Sequence, residues 1–392
     1  MKYNFNDVID RSKNYSTKWS EMEDRFNTSD LLPMWIADMD IKSPDFVLDA
    51  LHKRVDQAIF GYVAEPIDYH QIIANWIYNR FDFKVDPNSI MYSPKVVTSL
   101  GIIIQSLTKE NDKVMVCQPV YGPFSSMVVD NNRCLVVSEL KKDKDNFYTM
   151  DFDDIEKKIK GVSLFILCNP HNPVGRAWSF DELKRLSDIC LKNNVLILSD
   201  EIHADLILPG NKHIPIASIN KEVDNITITC MAPTKTFNLA GLHTSYIISS
   251  NKTLFDKIHN TLSILDLTKD NVFSLVATQA CYTPEGELWL NELINHIDSN
   301  IDFVIEFFNE NIPMLKLKKP QATYLAWVDA SKLNMDIDTI QDAFINVGKI
   351  ALNRGDLFGD GGDTFFRMNL ACPKYILEDG LNRMKVAIDS LV

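Results

Sequence analysis

The sequence predicts an α/β protein: a large domain with a mostly parallel sheet covered by helices, followed by a smaller α+β domain. Three observations lead there. From about Ile90 to Ser250, short apolar runs alternate with amphipathic stretches, the pattern of parallel strands joined by crossover helices. Two of these runs, Ser163–Cys168 and Val195–Leu198, are apolar on both faces, as buried parallel strands are. After about Pro284 the alternation gives way to long helical stretches flanking two strands. The implied divisions are residues 1–45, an N-terminal segment joining the small domain, 46–285, the large domain, and 286–392, the small domain.

In chain order, the first segment to about Ser43 is irregular. Its cluster Leu31–Asp40 sets Asp38 and Asp40 beside Trp35, an odd mixture for a simple strand. Helical periodicity begins near Pro44 and continues in Tyr69–Phe81, with Gly61-Tyr62 in the connection. The expected strands are Ile90–Tyr92, Lys113–Cys117, Arg133–Ser138, Ser163–Cys168, Val195–Ser199, Ile226–Met231 and Ser245–Ser249. Before the fifth of these, Ser179 and Glu182 form a capping box, and Leu183, Leu186, Ile189 and Cys190 make one apolar stripe. That helix reads as structural. Beyond Pro284, helices are expected at Glu287–Asn309 and Ile337–Asn346, with strands at Ala322–Val328 and Thr364–Asn369.

Composition narrows the function. An apolar fraction of 46% and a charged fraction of 24% are those of a soluble globular protein. A formal charge of -13, with no basic arm or face, argues against a nucleic-acid partner. Apolar runs such as Gly101–Leu107 are far too short to span a bilayer, and the N-terminal stretch lacks the apolar region of a secretory signal. Seven cysteines without a C-x-x-C pair read as reduced core residues of a cytoplasmic protein.

Four motifs fall at the carboxyl ends of strands, where open parallel sheets bind ligands. One is Gln118-Pro119-Val120-Tyr121-Gly122-Pro123, a turn that presents the Tyr121 ring. Next, Asn169-Pro170-His171-Asn172-Pro173 is held in turns by its prolines and offers the Asn172 amide. The third, Asp200-Glu201-Ile202-His203, places an acid where a cationic ring nitrogen could pair with it. In the fourth, Lys235 follows a strand on the loop Ala232-Pro233-Thr234. An amine held among Met231, Phe237 and Leu239 would lose hydration, and desolvation makes a lysine nucleophilic. Each motif has a plainer reading taken singly: an ordinary loop lysine, a plain proline loop, a helix cap, a packing tyrosine.

Together, Tyr121, Asn172, Asp200 and Lys235 arrive one per strand end, and the set resembles the fold-type-I pyridoxal-phosphate enzymes of the aminotransferase class I/II group. The resemblance implies the PLP-transferase fold and pyridoxal 5'-phosphate as cofactor. It implies that Lys235 bonds the cofactor covalently and shuttles protons, that Asp200 pairs with the pyridine nitrogen, that Asn172 bonds the phenolic oxygen and that Tyr121 stacks on the ring. Arg367, in Phe366-Arg367-Met368-Asn369, follows the family's arginine that forks onto a substrate α-carboxylate, although a lone arginine in a strand is ordinarily an ion-pair or surface residue. Tyr62 resembles the tyrosine that reaches across a dimer interface to the phosphate, which implies a homodimer with shared sites. The phosphate is expected at the N-terminus of a helix near Val96–Leu107, on amides and hydroxyls of Val97, Thr98 and Thr234.

The finer match is to the MalY/PatB-like cystathionine β-lyase, or C–S lyase, branch, carried by Pro33–Asp40, Asp200–His203, Lys235–Leu242, Thr323–Leu325 and Arg367–Pro373. It implies β-elimination: a β-thiolate leaves cystathionine or a related cysteine S-conjugate, giving a thiol such as homocysteine, pyruvate and ammonia. Trp35, Asp38 and Tyr324 are then expected around the substrate. Where many aminotransferases carry a tyrosine three residues after the aspartate, this chain has His203, and where they hold the phosphate with an arginine it has His243. Lys95 stands where the branch usually has glycine. Either Lys95 or protonated His243 replaces part of the missing charge, or Lys95 simply points to solvent. The rival readings are an aminotransferase with the same cofactor residues and, from another class, a pyridoxal-binding regulatory protein.

Overall fold

The computed structural model describes residues 2–392. Seven strands form the large sheet: β1 (Ile90–Ser93), β2 (Lys113–Gln118), β3 (Cys134–Glu139), β4 (Val162–Cys168), β5 (Leu196–Asp200), β6 (Thr227–Met231) and β7 (Ser245–Ile248). Each begins and ends within one residue of the stretch expected from its apolar pattern. Their order is β1-β7-β6-β5-β4-β2-β3. Only β7 runs against its neighbours, pairing antiparallel with β1 and β6. Helices α1 (Asp45–Asp56), α2 (Tyr69–Phe81), α3 (Val96–Leu107) and α4 (Phe180–Asn193) belong to this part of the chain. The capping box that opens α4 forms as expected, with both the Ser179 and Glu182 side chains engaged. Apolar cores cover both faces of the sheet: Leu100, Ile103 and Ile258 lie in one, Leu183, Leu186 and Trp178 in the other.

The small sheet is antiparallel, with order β8-β9-β11-β10, from β8 (Lys316–Leu317), β9 (Leu325–Asp329), β10 (Asn353–Arg354) and β11 (Phe365–Asn369). Helices α5 (Pro284–Asn311), α6 (Ile337–Asp342) and α7 (Lys374–Asp389) complete it. Two boundaries differ from the sequence expectation. The strand expected from Ala322 begins only at Leu325, because Thr323 sits at φ 70°, a left-handed conformation that a β-branched residue rarely adopts and that a ladder cannot accommodate. Thr323 is held there by its N–H on the Leu206 carbonyl at 2.7 Å. The helix expected over Ile337–Asn346 is α-helical only to Asp342 and continues to Gly348 as a wider π turn.

The N-terminal segment crosses to the small sheet's side of the molecule. Leu32 and Pro33 pair in parallel with Ile350 and Ala351. Beyond them the backbone of Trp35–Ile41 is held by side chains from several directions: Asn353 on the Trp35 carbonyl at 2.8 Å, Asn369 on those of Ile36 and Asp38 at 2.7 and 2.6 Å, and Asn238 on those of Met39 and Ile41 at 3.0 and 2.8 Å. An irregular stretch thus satisfies its buried carbonyls without a ladder.

Candidate active site

A cavity of about 470 Å³ opens where the carboxyl ends of β4, β5 and β6 meet β11 and the Trp35–Ala37 backbone. The strand ends are bound to one another beneath it: the Asn169 N–H donates to the Asp200 carbonyl, and that of Glu201 to the Cys230 carbonyl, both at 2.9 Å. Asp200 is the last residue of β5 and buried. Its carboxylate accepts the Ile202 N–H at 3.1 Å, and among the described residues no cation pairs with it. Burial pushes its pKa up to about 7.

The Lys235 loop is pinned from two sides. Asn238, at φ 57°, exchanges hydrogen bonds with Met39 at 3.0 Å in each direction. Thr236 Oγ1 donates to Asp205 Oδ2 at 3.1 Å. Between these anchors, Lys235 Nζ donates to the Ala37 carbonyl at 2.5 Å, inside the cavity. Its pKa falls to about 8, chiefly through desolvation, with Asp38 opposing the fall and Arg367 adding to it. The desolvation does not come from the residues expected. Met231, Phe237 and Leu239 are buried but wall no part of this cavity, and the Phe237 ring stacks on Trp289 at 5.6 Å instead. The amine is dried by the cavity walls and by the N-terminal backbone.

Arg367 reaches the cavity from β11, 4% exposed. It donates to Asn172 Oδ1 at 3.2 Å and to the Trp35 carbonyl at 3.0 Å, and its Nε has no partner. No carboxylate pairs with it among the described residues, and burial lowers its pKa to about 10. Because the Asn172 oxygen accepts from Arg367, its amide N–H groups are left to face the cavity. Tyr121 also lines it, tied to Asn172 by a backbone bond of 3.1 Å, and burial raises its phenol pKa. His203 is a wall residue whose pKa is driven down to about 3 by burial, so its imidazole is neutral.

At the far end, Val96 and Val97 present the first turn of α3, whose N-cap Lys95 makes no side-chain cap. Thr234, His243 and Thr244 converge on the same end. Uncapped first-turn amides, the Thr234 hydroxyl and a helix N-terminus form an anion cradle, while the Thr244 hydroxyl donates to Asp270 at 3.4 Å. Lys95 is solvent-exposed, as the solvent alternative expects, and it also contributes to the cavity wall. Desolvation and then the Lys95 charge lower the His243 pKa, which works against a protonated His243 there.

Four expected residues lie outside the cavity. Thr98 follows Val97 by one step in the first helical turn but is not part of the cavity wall. Asp38 is drawn to the other side of the segment by ion pairs with Arg11 at 2.7 Å and Lys18 at 3.8 Å. Tyr324 is fully buried behind the wall, its hydroxyl donating to the Ala37 carbonyl at 3.0 Å. Tyr62 is fully exposed on the loop before α2. The structure adds residues that the motifs did not single out: the Ala37 carbonyl, Arg25, Ile202, Thr244 and Asn353. Of these Ala37 and Ile202 lay within quoted motifs without being singled out, and a backbone carbonyl leaves no mark in a side-chain pattern.

The anion cradle, the unpaired acid and the drying amine fit pyridoxal phosphate. Comparison with known proteins agrees. The family profile described as aminotransferase class I and II matches residues 42–383. The chain is 41% identical over 387 residues to cystathionine beta-lyase PatB of Bacillus subtilis (strain 168), covering 98% of this chain and 100% of that one. Among solved structures, a pyridoxal-phosphate-bound protein of Clostridium difficile 630 carrying a provisional aminotransferase name matches at a TM-score of 0.97 and 51% identity, over 98% of this chain and 100% of that one. The pyridoxal-phosphate-bound C-S lyase of Staphylococcus hominis matches at 0.92 and 32%, over 99% and 98%.

Proposed function

The chain belongs to the aminotransferase class I and II family, and we propose that within it the protein is a pyridoxal-phosphate-dependent C–S β-lyase. Its substrates are cystathionine or related cysteine S-conjugates, and its products a thiol, pyruvate and ammonia. One observation carries the reading: Lys235, Asp200 and Arg367 surround a single cavity, Asp200 and Arg367 buried and Lys235 partly so, and none is neutralised by another protein charge at hydrogen-bond distance. The relatives' names supply the branch.

Bound there, pyridoxal phosphate supplies a protonated ring that accepts the electron pair released at a substrate α-carbon. Asp200 would hold the proton at the ring nitrogen, and the Asn172 amide would donate to the phenolic oxygen. Tyr121 and neutral His203 would wall the ring's side of the pocket. The amides of Val96, Val97 and Thr98 and the Thr234 hydroxyl would hold the phosphate, with Lys95 adding charge. Arg367 grips the α-carboxylate through its unpaired edge, and Trp35 shapes the substrate side. Lys235 Nζ, neutral in a fair fraction near its pKa of about 8, takes the α-proton. Asp38 and Tyr324 act on the substrate only indirectly, through the Ala37 carbonyl and its segment. A thiolate then departs from the β-carbon, a far better leaving group than an alkoxide because thiols ionise near pKa ~8.5.

The test is direct. Pyruvate and thiol appear from cystathionine without any keto-acid acceptor; a strict demand for an acceptor overturns the lyase in favour of amino transfer.

The proposed assembly is a homodimer in which Tyr62 reaches the partner's phosphate site. In support, Ile59, Phe60, Tyr62 and Ile67 are all exposed on one connecting loop. The closing unit is proposed to be residues 1–45 with 286–392, acting against 46–285. No helix among the described residues is long and apolar enough to cross a membrane, and a chain of seven unpaired cysteines suits the reducing cytoplasm proposed for it.

A further inference from the structure

Beside the catalytic cavity lies a second, larger one of about 690 Å³. Arg25, Trp35 and Asn353 wall both, so the two are neighbours across a thin partition. Trp35 is the centre of that partition: Phe26 packs edge-on against its ring at 5.5 Å, and the Arg25 guanidinium lies over it at 5.6 Å.

The second cavity is lined by opposite charges that the protein leaves uncommitted. Arg354 is neutralised by Asp338 and by Asp356 at 2.6 Å. Lys349 and Asp342, in contrast, take part in no ion pair among the described residues, and Arg25 has only a solvent-exposed contact with Glu21 at 3.3 Å. Between them stands Gln341, 7% exposed, whose side chain makes no hydrogen bond and whose oxygen is buried without a partner. Leaving such an amide unsatisfied costs about 1–3 kcal/mol. A wall with one unpaired lysine, an arginine held only by an exposed contact, one unpaired carboxylate and an idle amide matches the two charges of an α-amino acid.

We propose that this second cavity binds the amino-acid head of the departing thiol, the carboxylate towards Lys349 and Arg25 and the ammonium towards Asp342 and Gln341. The inference rests on the lyase reading and names its substrate class: cysteine thioethers whose leaving thiol is itself an amino acid. Arg367 holds the reacting half, and the thioether passes Trp35. Short S-alkylcysteines fill the catalytic cavity alone and leave the second one to water. Lys349, Asp342 and Gln341 are then specificity residues that never touch the reacting atoms.

The experiment measures pyruvate release by the holoenzyme, comparing kcat/KM for cystathionine with that for S-ethylcysteine. In Lys349→Gln the ratio of the two falls about tenfold or more, through KM for cystathionine, as loss of a charge-assisted contact predicts. In Asp342→Asn the same ratio falls, and S-(2-aminoethyl)cysteine, which keeps the distal ammonium but not the carboxylate, is weakened along with cystathionine. Lys349→Gln does not weaken that substrate. Neither substitution removes the Lys349 carbonyl, which accepts from the Arg383 guanidinium at 2.8 Å. A ratio equal to that of the wild type in both variants overturns the subsite while leaving the lyase standing. Absence of pyruvate from either substrate in the wild type overturns the lyase reading, and this inference with it.

Discussion

Two largely buried clusters of charge sit on opposite sides of the Trp35–Asp40 backbone, and they are built on opposite rules. On one side, Arg11 and Lys18 meet Asp38 and Asp40. Arg11 bonds both carboxylates at 2.7 Å, and Lys18, 1% exposed, bonds Asp40 at 2.5 Å. On the other side, Lys235 bonds a carbonyl, Asp200 a backbone amide, and Arg367 an amide oxygen and a carbonyl. The first cluster is neutral by pairing and holds a strap in place. The second keeps its charges unpaired, so desolvation acts on each and moves its pKa towards neutrality. Complete pairing marks structure here, and missing partners mark the proposed cofactor and substrate site.

That contrast is open to attack by substitution, starting where the effect is largest. Lys235→Ala lowers kcat by at least about 10⁴-fold, more than 5 kcal/mol in activation free energy, yet leaves urea stability close to that of the wild type. Asp40→Ala does the reverse. It leaves Lys18 only the longer contacts with Asp38 at 3.3 and 3.8 Å, costs about 3–5 kcal/mol in the urea transition, and lowers activity only as far as the strap loosens. If Lys235→Ala unfolds the chain and Asp40→Ala does not, the division between the clusters is wrong.

Asp200→Asn sharpens the comparison through pH. The folded carboxyl has a pKa near 7 against about 3.8 when unfolded, so between these values the folded state binds the extra proton and wild-type stability falls as pH rises. In cofactor-free protein, Asp200→Asn is therefore more stable than wild type by about 2–4 kcal/mol above pH 7, and the advantage shrinks towards pH 4. Denaturant midpoints across that range check it; an advantage that does not vary with pH would remove Asp200 from the unpaired set. Smallest is Arg367→Lys, which keeps the charge but loses the planar fork. It lowers kcat/KM about 10–100-fold, mostly in KM, and the split between KM and kcat distinguishes a carboxylate grip from a disturbed fold.

Much of this was legible in the chain itself. The large-sheet strands follow from local apolar patterning, because a doubly covered parallel strand must be apolar throughout, and the motifs after β2, β4, β5 and β6 follow from where such strands end. The strand before Leu325 was misread because the constraint on Thr323 is a contact with the distant Leu206 carbonyl. Asp38 and Tyr324 are expected at the substrate because they stand in the motifs of the lyase branch, and a motif does not show which side of a backbone a side chain takes. The second cavity was invisible for the same reason: Arg25, Gln341 and Lys349 come from separate segments and form no motif.

By itself, then, the sequence determined the fold class, the strand ends that present Tyr121, Asn172, Asp200 and Lys235, and the chemistry those side chains allow, since all of these depend on local pattern and residue type. Only the tertiary structure decided which charges were left without partners, that the Ala37 carbonyl meets the Lys235 amine, and that a second pocket adjoins the first. Pairing and desolvation are properties of groups far apart in the chain, and they exist only once the chain has closed around them.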